Sequence, residues 1–158
     1  MTVLFYEDFE IGQKAALGSH KFVRDATVGF ARKFDPQPFH LDEAAGAASI
    51  FSSLAASGWH TASAAMRALV DYRETLRTEA LARGETPPPR GLEAGVRQLR
   101  WSAPVRPGDE LAFSFEVVSK AETVEPQWGL VACRVTGINQ DGREACSYIL
   151  LSLVARRP

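Results

Sequence analysis

The sequence predicts an α+β domain in which an antiparallel sheet wraps one long helix. Three observations carry this. Residues 58–83 hold the longest helical pattern in the chain, with alanine crowded into its first half and charge appearing only after Arg67. Residues 91–155 hold successive segments of strand character. Between them lies "RGETPPPRG", residues 83–91, whose consecutive prolines fit neither a helix nor a hydrogen-bonded ladder. A strand-rich half that follows a mostly helical half belongs to the α+β class.

The elements follow in order. Residues 14–23 read as a strand. "RDATVGFARKF" reads as a short helix with Asp25 at its N-cap and Val28, Phe30, Ala31 and Phe34 apolar. That helix must stop near Phe34, because Pro36 drives Asp35 out of the α region. "DEAAGAASIF" reads as a second short helix beginning at Asp42. The long helix runs from about Gly58 to Arg83. Its Ala-rich end is expected to be buried with other backbone close against it, and its second half, with Asp71, Arg73, Glu74, Arg77 and Glu79, to be solvated. "GLEAGVRQLRWSAPV" is a long, partly polar strand. In "DELAFSFEVVSKA", Leu111, Phe113, Phe115 and Val117 alternate onto one face. "WGLVACRVTGI" and "EACSYILLSLVA" form a hairpin around a two-residue turn at Asp141-Gly142. About five strands and one central helix describe the hot-dog architecture, a step that draws on known folds beyond periodicity.

Composition sets the boundaries. The 158 residues suit one domain, 1–158, with one core. With 46% apolar and 23% charged residues the chain has the balance of a soluble globular protein. A net charge of −1 gives no basic footprint for nucleic acid, and no apolar run reaches membrane-spanning length. The opening "MTVLFYEDFEIG" lacks the basic-then-apolar pattern of a signal peptide, so the expected location is the cytoplasm. The hairpin register sets Cys133 opposite Leu150 and Cys146 opposite Gly137. The two thiols are then offset by four residues, about 13 Å at ~3.3 Å per residue, and are expected to be reduced and packed. No CxxC or HxxxH spacing supports zinc.

The candidate chemistry starts at "FDPQPFH", residues 34–40. Asp35 and His40 stand five apart, wrong for one helix face and for one strand face. They can meet only if the segment curls. Pro36 and Pro38 fix two φ angles, and a stiff irregular loop can hold a carboxylate and an imidazole together at low entropic cost. Such a pair can position a water and move its protons near neutral pH. A plain Pro-rich turn, with Asp35 stopping one helix and Asp42 capping the next, explains the same spacing, and spacing alone favours it. Ser57-Gly58 begins the long helix, where the first amides have no intrahelical acceptor. A thioester carbonyl could rest its oxygen on the Gly58 N–H; an ordinary serine N-cap is the commoner use of such a pair. His60, just inside the helix, reads as packing, and His20 has no comparable setting.

"FARKFDPQPFHLDEAAGAASIF…AASGWHT" closely resembles the MaoC-like, (R)-specific enoyl-CoA hydratases and dehydratases. The family's aspartate, proline, histidine and following aspartate fall here on Asp35, Pro38, His40 and Asp42, and the glycine that opens its central helix falls on Gly58. "RWSAPVRPGDEL" and "YEDFEIGQ" resemble further segments, so the likeness covers nearly the whole chain. The sequence departs from the pattern at Gln37, where asparagine is usual, and at Pro36, an uncommon companion for the aspartate. It departs again at Ser57, where histidine is common, and at Met66, where a polar residue often stands.

The resemblance implies reversible hydration of a trans-2-enoyl thioester to the (R)-3-hydroxyacyl thioester, a lyase reaction of fatty acid metabolism. Asp35 and His40 would activate water and the Gly58 amide would hold the enolate-like oxygen. No metal and no cofactor beyond the acyl-CoA substrate is implied. An apolar tunnel beside the Ala-rich helix would take the acyl chain. A homodimer or higher homo-oligomer is implied, and an open sheet that needs its edges covered agrees. Two alternatives stay open: a hot-dog acyl-CoA thioesterase, and a non-catalytic acyl-CoA-binding protein of the same fold.

Overall fold

A computed structural model describes residues 5–158; the first four residues of the opening segment lie outside the described residues. After a 3-10 turn at Tyr6–Asp8 come β1 (Lys14–Lys21), α1 (Arg24–Phe34), α2 (Pro38–Leu41), α3 (Glu43–Ala47), α4 (Gly58–Ala82), β2 (Glu93–Trp101), β3 (Glu110–Glu122), β4 (Trp128–Asn139) and β5 (Glu144–Ala155). The five strands form one antiparallel sheet in the order β1-β3-β4-β5-β2. Its inner face wraps α4, which is the hot-dog arrangement.

Strand alternation builds the core. Leu111, Phe113, Phe115 and Val117 all point inward and are buried. Val131 and Val135 of β4, Cys146, Tyr148 and Leu150 of β5, and Ala64, Ala65 and Leu69 of α4 join the same cluster. Each large apolar side chain removed from water there contributes about 1.5–3 kcal/mol. The Ala-rich turns of α4 let the helix lie close to this surface, while Asp71, Arg73 and Glu79 face solvent. Among the described residues no helix is long and apolar enough to cross a membrane.

The β4–β5 register is the expected one, with Cys133 opposite Leu150 and Gly137 opposite Cys146, and both thiols are free. The turn differs from expectation. The Asn139 N–H donates to the Arg143 carbonyl, which closes a three-residue loop, and Gly142 takes a left-handed φ of 76°. A shift between Gly137 and Ile138 absorbs the extra residue and preserves the register beyond it.

The N-terminal helices bring further corrections. Asp25 lies in the first turn of α1; Val23 is the N-cap, without a side-chain hydrogen bond. Thr27 joins Val28 and Ala31 on the buried face, and Phe34 is 61% exposed. The expected helix over 42–51 is the shorter α3, capped as anticipated by Asp42, whose Oδ1 accepts from the Ala45 N–H at 2.9 Å.

Candidate active site

The stretch from Asp35 to His40 contains a helical turn that the two prolines seemed to forbid. Pro38 occupies the first position of α2, where its missing N–H and fixed φ do no harm. Asp35 ends α1 with φ −152° and ψ 67°, off the helical path as the following Pro36 requires. The chain leaves one helix, turns, and enters another within three residues. His40 thereby swings back over Asp35, and its Nε2 lies 3.4 Å from Asp35 Oδ2. His40 is 5% exposed, packed against the rings of Phe39 and Phe51.

The second ring nitrogen settles the tautomer. His40 Nδ1 lies 2.7 Å from the Ala55 carbonyl oxygen. A carbonyl can only accept, so Nδ1 carries the proton, and whenever the ring is neutral Nε2 presents its lone pair beside the carboxylate.

Asp35 is held from two further sides. Ser57 Oγ donates to Oδ2 at 2.6 Å and Gln37 Nε2 donates to Oδ1 at 2.8 Å. Burial pushes the Asp35 pKa up, but the bonds from Ser57 and Gln37, and the His40 charge when that ring is protonated, outweigh it, so the net shift is downward from the ordinary aspartate value. Asp35 is therefore a carboxylate at neutral pH.

Ser57 links this pair to the head of α4. Fully buried, it is the N-cap: the oxygen that donates to Asp35 also accepts from the Trp59 N–H at 3.2 Å. The next residue, Gly58, opens the helix, and its N–H makes none of the cap hydrogen bonds. Glycine leaves room there for a neighbouring indole. A β-carbon on Gly58 would lie 2.4–2.7 Å from ring atoms of Trp101. Asp35, His40 and Gly58 are thus brought into one neighbourhood through Ser57.

Three contributors escaped the sequence reading. Ser57 was legible only as a cap, because its bond to Asp35 spans 22 residues. The Ala55 carbonyl carries no side-chain signal at all. Gln37, marked as a departure, acts on the carboxylate directly. His60 packs as expected. It is 8% exposed, stacked on Phe30 at 4.7 Å and edge-on to Phe22 and His20. Its Nδ1 and the Nε2 of His20 are buried without partners, and burial first, then His20, lowers its pKa to about 4.

A cavity of about 340 Å³ lies between α4 and the sheet, walled by Met66, Leu69, Phe115, Val135 and Leu150 and bounded by Pro88 of the proline loop. Its lining on α4 begins at Met66. From Gly58 to Met66 is eight residues, about 12 Å along the helix. Among the described residues no group of three or more His, Cys, Asp or Glu side chains is arranged to hold a metal ion.

Residues 8–137 match the family model described as MaoC like domain. The MaoC-like dehydratase of Rhodospirillum rubrum is similar in structure over 98% of this chain and 99% of that one, with a TM-score of 0.81 and 36% identity. The R-hydratase PhaJ1 of Pseudomonas aeruginosa shares the fold, with a TM-score of 0.65 at 24% identity over 97% of this chain and 86% of that one. A mesaconyl-CoA hydratase of Cereibacter sphaeroides is 35% identical over 78 residues, 47% of this chain but only 23% of the hydratase's length.

Proposed function

We propose, for a chain that belongs to the MaoC-like domain family, that it adds water across a trans-2-enoyl thioester to give the (R)-3-hydroxyacyl thioester, and catalyses the reverse dehydration. The observation that carries this reading is the Asp35–His40 pair, set beside the head of α4 with His40 Nε2 3.4 Å from Asp35 Oδ2 and Nδ1 held by the Ala55 carbonyl.

The groups divide the work by chemistry. A water within ~3 Å of both Nε2 and Oδ2 is held by two acceptors and can donate to each. His40 Nε2 takes one proton as the water oxygen bonds to the β-carbon. The π electrons move through the α-carbon onto the thioester oxygen, which the Gly58 N–H and the helix end stabilise. The imidazolium Nε2–H then returns its proton to the α-carbon. Asp35 stays ionised throughout; it orients the water and stabilises the imidazolium, and the bonds from Ser57 and Gln37 favour that state. Water and the thioester are the only reactants consumed.

The cavity beyond Met66 suits the distal part of an acyl chain. The name of the R. rubrum dehydratase agrees with dehydration, and that of the mesaconyl-CoA hydratase with hydration of a CoA thioester. A homodimer is part of the proposal. β1 and β2 are edge strands, and β2 exposes Leu92 just before it, with Val96 along it.

A panel of short, medium and branched trans-2-enoyl-CoA thioesters tests the reaction. Loss of the conjugated-enoyl absorbance without release of free thiol is expected for at least one member. Thiol release from a saturated acyl-CoA would identify a thioesterase instead.

A further inference from the structure

β2 is not a regular strand. It pairs with β5 as Val96↔Leu150 and Arg97↔Ile149, and then, past an irregularity, as Arg100↔Ser147 and Trp101↔Cys146. Gln98 and Leu99 together therefore face Tyr148 alone, and Gln98 adopts a left-handed φ of 53°. This is a β-bulge, a device that re-aims side chains on an edge strand.

The consequence follows from strand parity. Without the extra residue, Gln98 would stand opposite Tyr148 on the inner face, and Trp101, three residues on, would point to the opposite face. A one-residue slip exchanges every side chain between faces. With the bulge, Leu99 packs against the core, and Trp101 joins the inward column of Cys146. That column faces the head of α4. The indole of Trp101 lands on Gly58, with Cε2, Cδ2 and Nε1 at 2.4, 2.5 and 2.7 Å from where a β-carbon would be. Trp59 meets it edge to face at 5.3 Å, and Trp101 keeps 45% of its surface open. No side-chain hydrogen bond among the described residues uses the indole Nε1–H of Trp101.

We propose that Trp101 contacts the substrate, its indole forming the wall beside Gly58 and its Nε1–H giving the thioester oxygen a second donor alongside the Gly58 amide. This rests on the reading that a thioester docks at the head of α4. One amide satisfies only part of the capacity of an enolate-like oxygen, so a second preorganised donor acts mainly in the transition state. The planar ring also excludes water from the same spot, which strengthens both bonds.

Two experiments test it. In the Trp59→Phe, Trp128→Phe background, Trp101 is the remaining tryptophan, and its emission is followed while butyryl-CoA, which cannot be hydrated, is titrated. A saturable change is expected. Trp101→Phe keeps a ring and removes the N–H. With the enoyl thioester that the wild type turns over fastest, it should lose roughly 10²-fold in kcat with KM and Tm little changed, whereas Trp101→Leu should raise KM as well. Wild-type kcat in Trp101→Phe would overturn the donor role. Butyryl-CoA binding seen by calorimetry without any emission change would place Trp101 away from the ligand and overturn the contact. If no enoyl thioester is hydrated but the emission change occurs, the hydratase reading fails while the contact stands. Absence of any thioester binding overturns both.

Discussion

Ser57→Ala is the most informative single change away from the proposed reacting groups. The hydroxyl makes two bonds at one fully buried point, donating to Asp35 Oδ2 at 2.6 Å and accepting from the Trp59 N–H at 3.2 Å. Losing a serine N-cap costs about 1 kcal/mol. Losing a hydrogen bond to a charged group costs about 1.5–3 kcal/mol. Because the two bonds share one oxygen they do not add fully, and about 2–4 kcal/mol is expected at neutral pH. At roughly 2–4 °C per kcal/mol for a chain of this size, Tm should fall by about 4–16 °C. The pH dependence carries the sharper signature. Asp35 has a lowered pKa in the folded protein, so its ionised form contributes stability that is present above its unfolded pKa and lost as pH falls through the lower folded one. The Asp35 share of the mutant's deficit should therefore be largest near pH 7 and fade below about pH 4. The acid limb of the activity profile should move to higher pH, because Asp35 is protonated more readily. Urea unfolding across pH, with the pH–rate profile of the same variant, reads all three effects. A variant with wild-type stability and an unmoved acid limb would refute the role given to Ser57.

Other consequences are as direct. Gln37→Ala removes the other side-chain donor to Asp35; it should shift the acid limb in the same direction as Ser57→Ala but by less, with little change in urea midpoint, since Gln37 is exposed. His60 has a folded pKa of about 4 against an ordinary 6.5, so the unfolded chain takes up its proton first and stability should rise with pH between about 4 and 6.5, by on the order of 3 kcal/mol. His60→Phe should flatten that slope in a stability–pH series without loss of fold. Burial pushes both Cys133 and Cys146 thiols up to about 11, so neither should react with a thiol reagent at pH 7 until the protein is unfolded.

The fold was legible where periodicity is strong. Alternation in β3 placed Leu111, Phe113, Phe115 and Val117 on the inner face, and the hairpin register around Gly142 survived a wrong loop length because the bulge at Gly137–Ile138 compensates. Local chemistry misled at Asp25, which looked like a cap yet lies inside α1, and at Phe34, which fits the apolar pattern yet faces solvent. The site was half legible. Asp35, His40 and Gly58 stood out by residue type and by their order along the chain. What unites them did not, because Ser57 reaches Asp35 across 22 residues and the Ala55 carbonyl is backbone. Such contacts depend on how α1, α2 and α4 meet, which no short-range pattern encodes. The bulge at Gln98 was equally hidden, since nothing in "VRQLRW" marks a glutamine for left-handed backbone.

The central claim is that Asp35 and His40 together activate water. Its most direct test is the initial rate of enoyl absorbance loss for wild type, Asp35→Asn and His40→Ala, side by side on the best enoyl-CoA of the panel. Each substitution should lower kcat by roughly 10²–10⁴-fold while butyryl-CoA binding persists. Turnover near the wild-type rate in either variant would contradict the account.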